Sequence, residues 1–187
     1  MHKKIIIGIA GRMGCGKGMA GAYLAKKYGA QRFRSSTPLR ASLDIFSIPQ
    51  SRETMQKLST FLRSAYGENI IAHAVGGLIE KSTAEICIFD GVRRKIDAEI
   101  FRARDNFFLL FIETDEKIRY DRYVKRDENP GDAGMPYDEF LKRSNAEPEQ
   151  EIDLLKERAD FVVENNGSVE EFEQKIEEVM QKIKKHK

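Results

Sequence analysis

Gly11, Gly14, Gly16, Lys17 and Gly18 fall within the eight residues G-R-M-G-C-G-K-G, directly after the apolar run Ile5-Ile6-Ile7-Gly8-Ile9-Ala10. Glycines let a turn curl until successive N–H groups point inward, and such a concavity binds anions. A lysine in the turn adds a full positive charge, and a helix that starts there adds its positive end. The spacing G-x-x-x-x-G-K is that of a backbone cradle for nucleotide phosphates. The flanks agree with it. An uncharged β-branched run reads as a strand buried on both faces, and Met19 to Tyr28 reads as a helix. The residue after the lysine is Gly18, where the general motif has a Ser or Thr hydroxyl for Mg2+. A metal here would rely on water, nucleotide oxygens and a carboxylate from elsewhere. Candidate nucleotide contacts are therefore Gly11, Arg12, Met13, Gly14, Cys15, Gly16, Lys17, Gly18 and Met19, with Lys17 also the expected catalytic cation.

Further charged residues follow predicted elements in an order that suits phosphate chemistry. Asp90 ends the buried run Glu85-Ile86-Cys87-Ile88-Phe89-Asp90 and leads into Gly91-Val92-Arg93-Arg94. A carboxylate at such a strand end can hold Mg2+, usually through water, and an arginine beside it can grip phosphate bidentately. Arg40 falls in the first turn of a helix, where the dipole disfavours a cation; an anionic ligand is one reason for it. Arg63 is a second candidate for the acceptor. Arg119, Arg122 and Arg126 recur at helical spacing and lead into the Pro/Gly-rich stretch 127–136. His2, His73 and His186 are scattered, and no Cys/His ligand spacing or nucleophile elbow is present.

Taken in order, these segments resemble the nucleoside and nucleotide kinase group of P-loop proteins. G-x-x-G-x-G-K-G is similar to the P-loop of adenylate kinases, which also carry Gly after the lysine; those usually have Thr next, where this chain has Met19. Asp90-Gly91-Val92-Arg93-Arg94 resembles their D-G-x-P-R segment without its proline. Ser35-Ser36-Thr37-Pro38-Leu39-Arg40 resembles the segment whose Arg binds the acceptor phosphate. The Arg119/Arg122/Arg126 helix and its loop resemble the lid of the same kinases. Ala159-Asp160-Phe161-Val162-Val163-Glu164-Asn165-Asn166-Gly167-Ser168 resembles a dephospho-CoA-kinase turn that packs beside adenine, which points to Asn166 and Gly167.

The resemblance implies ATP and Mg2+ as cofactors and transfer of the γ-phosphoryl group to a nucleoside or deoxynucleoside monophosphate. Lys17, Arg122, Arg126 and Asp90 would be catalytic, Asp90 also the metal residue, and Arg40, Arg63 and Arg93 would bind the acceptor. A hydroxyl-phosphorylating kinase such as a dephospho-CoA kinase is the nearest alternative, and a nucleotide-binding regulator without turnover is a third.

The elements that must position these residues alternate. Strands are expected at Ile5–Ala10, near Phe33, at Glu85–Asp90, Asn106–Glu113 and Asp160–Glu164, with helices between them. That is an α/β pattern, a three-layer P-loop NTPase fold of about five mostly parallel strands. Three successive helices suggest a helical acceptor-binding insertion over 38–82, with Thr37 as N-cap and Pro38 as the first helical residue of one. Ser51 is a cap for the next, whose apolar residues are Met55, Leu58, Phe61 and Leu62. Residues 119–145 form the expected lid region. Ser168 and Glu171 make a capping box ahead of the stripe Val169, Phe172, Ile176, Val179, Met180 and Ile183.

The 187 residues suffice for one domain with a real core and are few for two. With 32 basic and 30 acidic residues, no global field argues for nucleic acid or an anionic membrane. No apolar run is long enough for a bilayer, and the early strand leaves no room for a signal peptide. Two cysteines, Cys15 and Cys87, suggest no disulfide framework. A cytoplasmic monomer or homodimer acting on a small-molecule phosphate acceptor is the expectation.

Overall fold

All six residues of β1, Ile5–Ala10, are buried, because side chains alternate across a strand and both faces are covered. The structure, a computed structural model, describes residues 4–103, 106–125, 134–145 and 151–185. After β1 come α1 (Lys17–Tyr28), β2 (Gln31–Arg34), α2 (Ser36–Ile45), α3 (Arg52–Tyr66), α4 (Ile70–Lys81) and β3 (Ile86–Val92). Then follow α5 (Lys95–Arg102), β4 (Phe107–Glu113), α6 (Glu116–Tyr123), α7 (Tyr137–Ser144), α8 (Ile152–Lys156), β5 (Phe161–Glu164) and α9 (Val169–Lys185). The five strands form one sheet in the order β2-β3-β1-β4-β5. Every pairing is parallel, so the fold is the expected three-layer α/β arrangement.

One layer sets Ile5, Ile7 and Ile9 against Ala20 and Leu24 of α1 and Phe172, Ile176, Met180 and Ile183 of α9. The opposite face sets Ile6, Phe89 and Leu109 against Val75 and Ile79 of α4, Phe101 of α5 and Leu155 of α8. Burying one such side chain contributes about 1.5–3 kcal/mol, so the central strands are the rigid frame. Parallel strands share a carboxyl edge, and ligands of open α/β sheets bind there. The loop after β1 emerges at that edge between β3 and β4.

Three local expectations change. Helix α2 begins at Ser36 with Ser35 as its N-cap; Thr37 instead accepts the Arg34 N–H on its hydroxyl at 3.1 Å. Helix α3 does have Ser51 as N-cap, with Thr54 completing the reciprocal box. Its apolar stripe is only half covered, however, and Phe61 is exposed. On α9 the Ser168–Glu171 box forms as expected, whereas Val169 lies too near the helix start to reach the sheet and is exposed.

Candidate active site

The loop from Gly11 to Gly16 needs backbone that only glycine adopts freely. Gly14 has φ 82° and Gly16 has φ 106°, both in the left-handed region where a Cβ is strained. A Cβ at Gly14 would also lie 2.5 Å from the Arg119 carbonyl oxygen. Gly16 is the N-cap of α1, whose first turn carries no acidic residue to offset its positive end. The Lys17 ε-ammonium folds across the loop and donates to the Gly11 and Arg12 carbonyls at 2.5 and 3.0 Å. A loop of left-handed glycines, a helix N-terminus and a lysine thus meet at one place, a combination that suits an oxyanion.

The loop is braced from beneath by residues with no phosphate-motif signature. The Cys15 carbonyl accepts the Thr114 hydroxyl at 3.0 Å and Asn165 Nδ2 at 2.9 Å. Arg119 donates to the Thr114 carbonyl (3.1 Å), the Met13 carbonyl (3.2 Å) and Ser144 Oγ (3.2 Å). Its guanidinium also stacks over Phe140. Thr114, Arg119 and Asn165 are all buried. Arg119 is therefore a strut between loop, α6 and α7, which corrects its place among the lid arginines.

Several loop side chains are engaged by the protein itself, the Cys15 thiol lying 3.8 Å from Lys17 Nζ. Arg12 pairs with Asp153 at 2.5 Å and donates to the Ser144 carbonyl; the pairing holds the Asp153 carboxyl below the usual range. Met13 packs with Tyr123, Met135 and Phe140 in a small apolar cluster. Cys15 is buried, and Met19 packs against the main core while its N–H donates to the Gly16 carbonyl. With their side chains so engaged, a nucleotide contact at Arg12, Met13 or Met19 would fall to the backbone. Periodicity could not show this, because a tight loop points its side chains outward in directions that only neighbouring elements fix.

At the β3 end, Asp90 stands beside Ile9 of β1 and Arg34 of β2. Asp90 Oδ2 accepts Arg32 Nη2 at 2.6 Å and lies 3.7 Å from Arg34 Nε. These residues do not fit a protein-held Mg2+. Residue 18 offers no hydroxyl, the facing carboxylate is paired with two guanidinium groups, and the described residues hold no cluster of three or more acidic, His or Cys ligands. Two strand arginines flanking buried Phe33 were the available signal for this pairing.

The expected acceptor arginines are dispersed. Arg93 is exposed on the turn after β3. Arg40 donates to Gln50 Oε1 at 2.8 Å, and Gln50 in turn bonds Asp44. Arg63 is a strut: its side chain is 12% exposed and lies 3.8 Å from both Glu68 and Asp97. Burial pushes the Asp97 carboxyl up, against the opposing pull of Arg63. Arg94 joins the same knot through Glu68 at 2.5 Å, which ties the α3–α4 connection to the start of α5. Arg122 donates to the Asn165 carbonyl at 2.8 Å and the Gly167 carbonyl at 3.5 Å. It therefore shares the β5–α9 turn with Asn166, whose Oδ1 accepts the Asp115 N–H. Arg126 lies outside the described residues, as does most of the Pro/Gly-rich stretch after it.

No model of a known protein family matches the chain. Among solved structures, the shikimate kinase of Bacteroides thetaiotaomicron superposes with a TM-score of 0.60 at 14% identity, over 95% of this chain and 98% of that one. The shikimate kinase of Acinetobacter baumannii, solved with shikimate, gives 0.57 at 18% identity over 100% and 96%. A gluconokinase of Sinorhizobium meliloti gives 0.57 at 14% over 97% and 94%. This likeness establishes a P-loop kinase-like fold without singling out the adenylate-kinase-like group. Among curated sequences, a UPF0200 protein of Saccharolobus solfataricus is 28% identical over 185 residues, 98% of this chain and 95% of the relative. A UPF0200 protein of Sulfurisphaera tokodaii is 30% identical over 178 residues, covering 95% of this chain and 97% of its own length. With near-complete coverage in both directions, the chain belongs to the UPF0200 protein family.

Proposed function

We propose that this protein is an ATP-dependent phosphotransferase that moves the γ-phosphoryl group to a small phosphorylated acceptor, a nucleoside or deoxynucleoside monophosphate. The observation that carries this reading is the braced loop, with Lys17 spanning its mouth from the start of α1. Loop N–H groups and Lys17 hold the β- and γ-phosphates. Arg122, which reaches the Asn165–Gly167 turn from α6, and Arg126 neutralise charge on the nucleotide and the transferring group, and Asn166 and Gly167 adjoin the base. Arg40 and Arg93 hold the acceptor phosphate. The chemistry is positioning and charge neutralisation, without a covalent intermediate.

A phosphate acceptor needs no general base near neutral pH. A hydroxyl acceptor does, and the carboxylates near this edge are engaged: Asp90 with Arg32 and Arg34, Asp44 with Gln50. That observation favours the phosphate acceptor. Hydroxyl phosphorylation remains the second reading because the similar structures include kinases named for shikimate and gluconate. Lys17→Ala tests the shared premise. ATP turnover by the folded variant should fall by about two orders of magnitude or more, as expected when a preorganised charge is removed. Unchanged turnover would show that the loop is not the donor site.

A further inference from the structure

Arg32 stands on β2 two residues before Arg34, hence on the same face of the strand. Its Nη2 lies 2.6 Å from Asp90 Oδ2 and 4.0 Å from the point where residue 18 would carry a Cβ. Its Nε and Cζ lie 2.6 and 2.9 Å from the corresponding point at Gly21. Residues 18 and 21 are three apart, so they adjoin on one face of α1. Glycine weakens a helix interior, and two on one face need a reason. Gly21 clears the groove that the guanidinium fills, since the three atoms nearest a Cβ there all belong to Arg32, whereas a Cβ at residue 18 would make ordinary contact.

The guanidinium has donors to spare. Arginine presents five N–H donors, and among the described residues Asp90 is the acceptor for Arg32. Its Nε is buried without a hydrogen-bond partner. The guanidinium thus lies along the first turns of α1, its Nη2 towards residue 18 and its unpartnered Nε against Gly21, next to the position where other loops of this motif place a metal-binding hydroxyl. Arginine is suited to phosphate oxygens by its planar fork.

We propose that Arg32 is a polyphosphate-binding residue of this site. It supplies, between Gly18 and Asp90, the positive charge that a hydroxyl-held divalent cation supplies in loops with Ser or Thr after the lysine. Asp90 is then a positioning residue that aims the guanidinium. Nucleoside triphosphate binding accordingly draws on Arg32 and depends little on a divalent ion. The inference rests on the loop being a nucleotide site.

Calorimetric titration of the full chain with ATP, in excess EDTA and again in Mg2+, tests it. Wild type is expected to bind in EDTA within about tenfold of its affinity in Mg2+. Arg32→Gln should lose about tenfold or more in EDTA, the loss of a charge-assisted contact, and recover part of it in Mg2+ because Asp90 is released. Arg32→Lys should retain more binding in EDTA than Arg32→Gln. Gly21→Ala provides the variant that keeps the charge but displaces it. The added methyl favours the helix and collides with the flexible end of Arg32, so the fold is retained while binding in EDTA falls. If wild type binds ATP only with Mg2+, or if Arg32→Gln and Gly21→Ala bind in EDTA as wild type does, this inference alone is overturned. Absence of wild-type binding under both conditions overturns the nucleotide site and this inference with it.

Discussion

The Cys15 carbonyl sits at the bend of the loop and accepts from both Thr114 and Asn165. Asn165 belongs to the turn after β5, so the far edge of the sheet reaches under the loop through one amide. Asn165→Ala removes that donor from a buried site. The expected cost is about 1–2 kcal/mol, the range for a buried neutral hydrogen bond, read as a lower urea midpoint with a weaker ATP affinity. An unchanged midpoint would show that Thr114 alone holds the bend. At this scale the sequence was informative about Lys17 and the glycines, since spacing alone defines a backbone cradle. It was silent about Arg32 and Thr114, and it put Arg119 in a lid and Asn165 in a turn beside adenine, because the part each plays arises from contacts across 58 to 150 residues of chain. It offered Arg63 as a second acceptor candidate, because helical spacing does not distinguish an arginine at a ligand site from one held beside Asp97.

At the scale of elements, α1 and α9 meet through a polar knot above their apolar contact. Glu177 accepts the hydroxyls of Tyr28 (2.6 Å) and Tyr23 (3.2 Å) and pairs with Lys27 at 2.9 Å. The Tyr28 hydroxyl, then Gln181 and Lys27, hold the Glu177 carboxyl down to about 2. A carboxyl depressed in the fold stabilises it above the ordinary carboxylate range, and that stability is lost as pH falls toward the folded value. The melting temperature of wild type should therefore drop between about pH 5 and pH 2.5, and Glu177→Gln should show a shallower drop over that window. Parallel curves would remove Glu177 from the account of the α1–α9 joint. Elements with full periodicity were legible: β1, β3, β4 and α9 lie where the apolar runs put them. Their environment was not. The stripe of α3 is only half covered, with Phe61 exposed, because a hydrophobic pattern names a face without naming what packs on it. Likewise, the packing of Tyr123 in α6 and Phe140 in α7 against Met13 of the loop was not legible in the stretch expected as a lid.

At the scale of the whole molecule, a five-stranded parallel sheet holds a braced phosphate loop at its carboxyl edge. Arginines from β2, from the turn after β3 and from α6 stand along the same edge. No described helix is long and apolar enough to cross a membrane. The proposed phosphotransferase takes ATP as donor and a phosphorylated acceptor, and everything said of its arginines turns on that acceptor. The direct measurement is ATP consumption by the purified protein in Mg2+, with each ribo- and deoxynucleoside monophosphate offered singly beside dephospho-CoA, free nucleosides, shikimate and gluconate. The account predicts turnover stimulated by one monophosphate or a small set of them, with the matching diphosphate as product. Stimulation confined to dephospho-CoA, a nucleoside, shikimate or gluconate would contradict it and assign the protein to hydroxyl phosphorylation.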